Sequence, residues 1–202
     1  MTMNRRGLLA LGTGLSAFVL TGYRPAIMAA DRDRRPAGLL LADLEPDGLS
    51  KIYRRHRLVV LGQRDDKMAS AFAETVVDAL ATFLPASRAR LIRAADTRRV
   101  GILIGTRQQD VAIMTKESAE ALFLARPPFE DIRNLPLRLI VSFESYVAVC
   151  RDDFVARHAY LLAQTLVDHK NALPTPAGAP SGVVPGHPGS LAYFAGEEVP
   201  NA

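Results

Sequence analysis

Cysteine is almost absent: Cys150 stands alone among 202 residues, so no disulfide can form within the chain. Histidine is scarce too. His56, His158, His169 and His187 are scattered, and none pairs with cysteine or carboxylate at a metal-ligand spacing. No phosphate loop of the P-loop type, no GxGxxG turn and no GxSxG elbow occurs. A hydrolase would lack its nucleophile, base and oxyanion donors, and the chain is expected not to be an enzyme. No cofactor and no metal is called for. Gly101 and Gly105 are expected to relieve helix packing or to cap a helix end.

An excess of one charge is also missing. The formal charge is +4, but Arg5, Arg6 and Arg24 fall in the first thirty residues, where there are no acids. Without them 22 basic residues face 21 acidic ones, which excludes a cationic nucleic-acid binder on charge grounds. Long apolar runs are absent as well. The longest, Leu8 to Leu20, is short against the roughly 20 residues of a membrane span.

That run follows Asn4-Arg5-Arg6-Gly7, and paired arginines before a moderately apolar segment predict a Tat-type signal peptide over residues 1–30. The expected location is therefore the periplasm. Ala26-Ile27-Met28-Ala29-Ala30 lacks a clean Ala-x-Ala, so retention as a membrane anchor stays open. Residues 31–56 read as a linker and N-terminal flank, with Asp31 to Pro36 of mixed charge and Lys51, Arg54 and Arg55 basic.

From residue 57 to 171 the pattern predicts one α/β lobe, a mostly parallel sheet flanked by helices. Leu58 to Leu61 is the first strand. A helix is expected over about Lys67 to Phe83, capped by Asp65 or Asp66, with Met68, Phe72, Val76, Leu80 and Phe83 as its core stripe. Arg88 to Ala94 reads as a strand. Asp96 or Thr97 would cap a helix running to Leu103 and closing near Gly105. Val111 to Met114 is a short apolar run suited to a buried central strand, and Thr115 or Ser118 can start the next helix. Leu137 to Val141 and Tyr146 to Cys150 are two further strands, and about Val155 to Asn171 is a long helix. Residues 172–202, rich in proline and glycine to Pro188, read as an extended tail whose Leu191, Tyr193 and Phe194 dock on the lobe.

If the strands are parallel, their exits converge at Gly62-Gln63-Arg64, Thr115 to Ser118 and Ser142 to Ser145. Strand carboxyl ends meeting helix starts are where α/β folds hold ligands. Gln63, Arg64, Thr115, Lys116, Ser118, Ser142 and Glu144 are the candidate ligand-binding residues. Arg64 and Lys116 would supply charge to a small anionic solute, a carboxylate or an amino acid. Capping and binding use the same residue types, so Thr115 and Ser118 fit either role.

Three pieces of the chain carry a family resemblance. Val100-Gly101-Ile102-Leu103-Ile104-Gly105 leads into Asp110-Val111-Ala112-Ile113-Met114-Thr115. Leu137 to Val141 is followed by Tyr146 to Arg151. Gly186-His187-Pro188-Gly189-Ser190-Leu191-Ala192-Tyr193 is similar to a C-terminal HPGA-x-x-Y signature. With these the chain resembles the TAXI-type solute-binding receptors of tripartite ATP-independent periplasmic (TRAP) transporters. The resemblance implies a periplasmic-binding-protein-like lobe, solute binding, and a membrane transporter subunit as partner. The chain departs from those two-lobed clamps by being shorter. Arg151-Asp152-Asp153-Phe154 leads almost directly into the long helix where the family inserts a second lobe, and Gly62 to Asp66 replaces its glycine-rich loop. A homodimer would be one way to replace the missing lobe; the alternative is a periplasmic accessory protein, partner of a Tat-exported or membrane complex, that has lost solute binding.

Overall fold

The computed structural model describes residues 57–201, and among them are five strands and five helices. Every described residue belongs to one compact unit. The signal peptide and the linker lie outside the described residues. Among the described residues, no helix is long and apolar enough to cross a membrane.

Strand β1 is Val59–Gln63, wholly buried. Helix α1, Lys67–Phe83, begins where Asp66 accepts from the N–H groups of Met68 and Ala69 at 2.9 and 3.0 Å. It stops before Pro85, whose missing N–H suits the 3-10 turn Pro85–Ser87. Its buried face runs through Ala69, Phe72, Ala73, Val76, Val77 and Leu80. Met68 and Phe83, expected on that stripe, are 74% and 41% exposed. Phe83 stacks on His169 instead, with ring centroids 3.8 Å apart.

Strand β2, Arg90–Ala94, and helix α2, Thr97–Gly105, follow, the latter capped by Asp96. Gly101 lets α2 approach its neighbours, since a Cβ there would lie 2.8 Å from the Phe129 ring. Strand β3 is Val111–Thr115 and helix α3 is Lys116–Phe123. Strands β4, Leu137–Ser142, and β5, Tyr146–Arg151, precede helix α4, Ala156–Asp168. A 3-10 turn, Lys170–Ala172, and a short helix α5, Pro188–Phe194, complete the order.

The sheet order is β2-β1-β3-β5-β4. The expected mostly parallel sheet is corrected to a mixed one. β1 pairs parallel with β2 and β3, whereas β5 pairs antiparallel with both β3 and β4. The reason is the connection: three residues, Phe143 to Ser145, separate β4 from β5, and a parallel return needs a crossover of a dozen or more. β5 alone is reversed, so β4 still points the same way as β1, β2 and β3.

Where the sequence reads as an extended tail docking on the lobe, Pro188–Phe194 is helical. Residues 178–187 run beside β4 and bond to it, and the chain then turns into α5. Ser142 and Gly178 exchange two backbone hydrogen bonds, at 3.0 and 2.8 Å. Leu139 N–H donates to Pro185 at 2.9 Å, and His187 N–H donates back to Leu139 at 2.7 Å. Proline after the His187 cap occupies the first helical position, where its fixed φ starts a helix rather than breaking one.

Apolar side chains fill both faces of the sheet. One cluster packs Val60, Ile113, Ile140 and Cys150 under α1 and α4; the other packs Leu61, Met114, Leu139 and Val149 under α2, α3 and Phe129. Burial on both faces explains why β1 and β3 read as unbroken apolar runs.

Candidate functional site

The direction of four strands brings the carboxyl ends of β2, β1, β3 and β4 to one end of the sheet. The start of β5 joins them, with Tyr146 opposite Thr115 and Val147 opposite Ser142. Helices α1, α2 and α3 also begin there. The exits expected from the sequence therefore share one end, although the sheet is mixed.

Each of those helix starts is capped by the chain itself. Asp66 caps α1, and the Asp96 carboxylate accepts from Arg99 N–H at 2.7 Å to cap α2. The Thr115 hydroxyl oxygen accepts from Ser118 N–H at 3.2 Å, while its proton goes to the Ser118 hydroxyl at 2.9 Å. Lys116 N–H donates to the Ser145 carbonyl at 3.1 Å, which fixes α3 to the β4–β5 turn.

The seven sequence candidates divide on this end. Gln63 is buried and accepts from the Thr97 hydroxyl, so its side chain ties β1 to α2. Ser142 is buried and its hydroxyl oxygen accepts from Ser181 N–H at 3.1 Å, so it faces residues 178–187. Its strand is also two spacings from β3, about 10 Å. Thr115 and Ser118 are half-buried and bonded to each other. Arg64 and Glu144 are exposed and Lys116 is half-buried. Among the described residues, the side chains of those last three have no hydrogen-bond or ion-pair partner.

Tyr146 belongs to the same end and was not among the candidates. Its ring stacks on Phe72 at 4.6 Å, and Phe143 meets Phe72 edge-on at 4.8 Å. Burial pushes its phenol pKa up, and the Asp66 carboxylate adds to that. The hydroxyl is therefore a proton donor at neutral pH. The signal for Tyr146 was the short polar link before β5, which forces it back to the end that β4 has just left.

A cleft of about 280 Å³ opens at the opposite end of the sheet, between Leu58, Leu84 and Ser87 on one side and Phe154, Leu161 and Leu162 on the other. Near the strand-exit end, Lys116 and Glu120 border a hollow of about 10 Å³ against Val183 and Val184. Among the described residues, no group of three histidine, cysteine or carboxylate side chains could hold a metal ion.

The C-terminal signature residues form a separate buried cluster. His187 is 2% exposed. Its Nδ1 accepts from Gly189 N–H at 3.2 Å, so the proton sits on Nε2, which donates to the Phe154 carbonyl at 2.9 Å. Ser190 donates its hydroxyl proton to the Ile140 carbonyl. A Cβ on Gly189 would overlap the Ala156 carbonyl oxygen. Tyr193 donates to Asp168 at 2.9 Å, and burial with that bond lifts its pKa to about 12. These residues join the C-terminal segment to β4 and α4, and none reaches the strand exits. Neither a family model nor any curated protein matches the chain.

Proposed function

We propose that the chain is an exported, TAXI-like solute-binding protein whose lobe supplies one half of a site for a small anionic solute. The observation that carries this reading is that Arg64 just past β1 and Lys116 just past β3, whose side chains have no partner among the described residues, lie at the same end of the sheet. In this reading Arg64 and Lys116 pair with the solute's carboxylate. Thr115, Ser118 and the Tyr146 hydroxyl orient it, and Glu144 favours solutes that also carry an ammonium group. A second jaw comes from another copy or from a membrane transporter subunit. Delivery to the periplasm rests on the Arg5-Arg6 signal.

Titration calorimetry of the mature protein with dicarboxylates and amino acids tests this. Heat is expected with at least one of them, and Arg64→Ala and Lys116→Ala should each weaken it by roughly tenfold or more, the loss of one charge-assisted bond. No heat with any member of the panel, and no change in melting, removes the reading.

A second reading is an accessory protein that contacts another periplasmic protein through this end. It is favoured by Asp66 and Asp96, whose carboxylates already occupy two of the three helix starts and would repel an anion. Met68, 74% exposed in the first turn of α1, gives such a surface an apolar contact. Recovery of one stoichiometric partner after cross-linking in periplasm, lost in Met68→Asp, would select it. A monomer with no partner would exclude it.

A further inference from the structure

We propose that His187 is a pH-sensitive latch, which holds residues 178–194 on the β4 edge when its ring is neutral and releases them when it is protonated. The proposal stands on how much of the attachment passes through one residue. His187 bonds three elements at once: its backbone N–H reaches Leu139 on β4, Nε2–H reaches Phe154 just before α4, and Nδ1 receives Gly189 in α5. Ser190, the next buried polar group, reaches Ile140 from the same turn.

Protonation costs a bond here, although the Phe154 and Asp152 backbone groups favour the charged ring. A second ring proton on Nδ1 would point at the Gly189 N–H, which is itself a donor, so one bond becomes a donor–donor clash. Gly189 is packed against the Ala156 backbone so closely that a Cβ on it would overlap the Ala156 carbonyl. The ring has no route to water either, being 2% exposed. The charged groups acting on it are Arg138 from β4, which opposes a positive charge, and Asp152 from the turn after β5, which favours one. Burial is the largest influence and lowers the imidazole pKa below its usual 6.5.

The sign of the pH effect follows. The unfolded or released ring takes up its proton more readily than the buried one. The latch therefore contributes fully above about pH 6.5 and is lost as pH falls through the lower, buried value. What opens is local. The bonds from Ser142 to Gly178 and from Leu139 to Pro185 and His187 cover only the outer side of β4. The inner side stays paired with β5.

Amide hydrogen exchange on the full chain tests this, measured from about pH 7.5 to about pH 5 and corrected for intrinsic rates. The expected result is that Leu139, Ser142 and His187 amides lose protection by up to about tenfold per pH unit as pH falls from about 6.5 to the buried pKa, and level off below it. Val60 and Ile113 in β1 and β3 should hold theirs. His187→Gln, which keeps a donor and an acceptor but no titrating group, should show a flat profile. The proposal is overturned if the strap amides keep their protection throughout. It is equally overturned if all amides lose protection together, or if a folded His187→Gln still opens with acid. Should that variant fail to fold, the wild-type profile alone decides.

Discussion

The two long edges of the sheet are guarded in opposite ways. β4 is covered: residues 178–187 bond along it, and α5 then packs on α4. β2 is uncovered among the described residues. Arg90 N–H donates to Leu58 and the Ala94 carbonyl accepts from Arg64, so the backbone groups of Leu91 and Arg93 face outward. What protects that edge is shortness and charge. It has five residues, Arg90 is exposed, and Arg93 pairs with Glu74 at 2.9 Å. Edge strands that are short and charged resist pairing with other chains. One edge is closed by packing and the other by electrostatics, so stability should depend heavily on the first and little on the second.

The largest effect is expected where packing leaves no room. Gly189→Ala places a Cβ against the Ala156 carbonyl and should cost about 3 kcal/mol in urea unfolding. A cost under about 1 kcal/mol would mean that α5 can shift without consequence, and the comparison would weaken. Ser190→Ala comes next. It leaves the buried Ile140 carbonyl short of its side-chain donor and should cost about 1.5 kcal/mol by the same measurement. On the open edge Glu74→Ala removes a pair whose members are 35% and 59% exposed, and it should change stability by less than about 0.5 kcal/mol. Its visible effect should be on self-association, followed by light scattering, because Arg93 keeps its bond to the Ser70 hydroxyl but loses its carboxylate, beside outward backbone groups that have no partner among the described residues. A larger stability loss at Glu74 than at Ser190 would reverse the comparison.

Local structure was legible in the sequence wherever a cap, a stripe and a stop agreed. α1 spans Lys67–Phe83 because Asp66, the Phe72–Val76–Leu80 row and Pro85 all point to the same helix. β3 and α3 follow from the short apolar run and the Thr115 cap. The sheet order needed one further piece of reasoning, and the link between β4 and β5 contains it: three residues cannot carry a parallel return. The C-terminal helix was hidden because Pro188-Gly189 reads as a breaker. Only the tertiary setting shows proline at the first helical position and glycine pressed on another backbone. Of the candidate site residues, Arg64 and Glu144 are exposed and Lys116 is half-buried. Gln63 and Ser142 were indistinguishable from ligand contacts in the sequence, because a polar residue at a strand exit can serve the neighbouring helix or strap equally well.

Cys150 is fully buried in β5 between β3 and β4, and burial with the nearby Asp153 carboxylate pushes its thiol pKa well up. A protonated, inaccessible thiol does not react with disulfides or alkylating reagents. The protein therefore carries a built-in clock. Release of the strap alone leaves the sulfur sealed, whereas parting of β5 from its neighbours exposes it. The rate at which a thiol reagent modifies the native protein counts those deeper openings, at a single atom and without an added label.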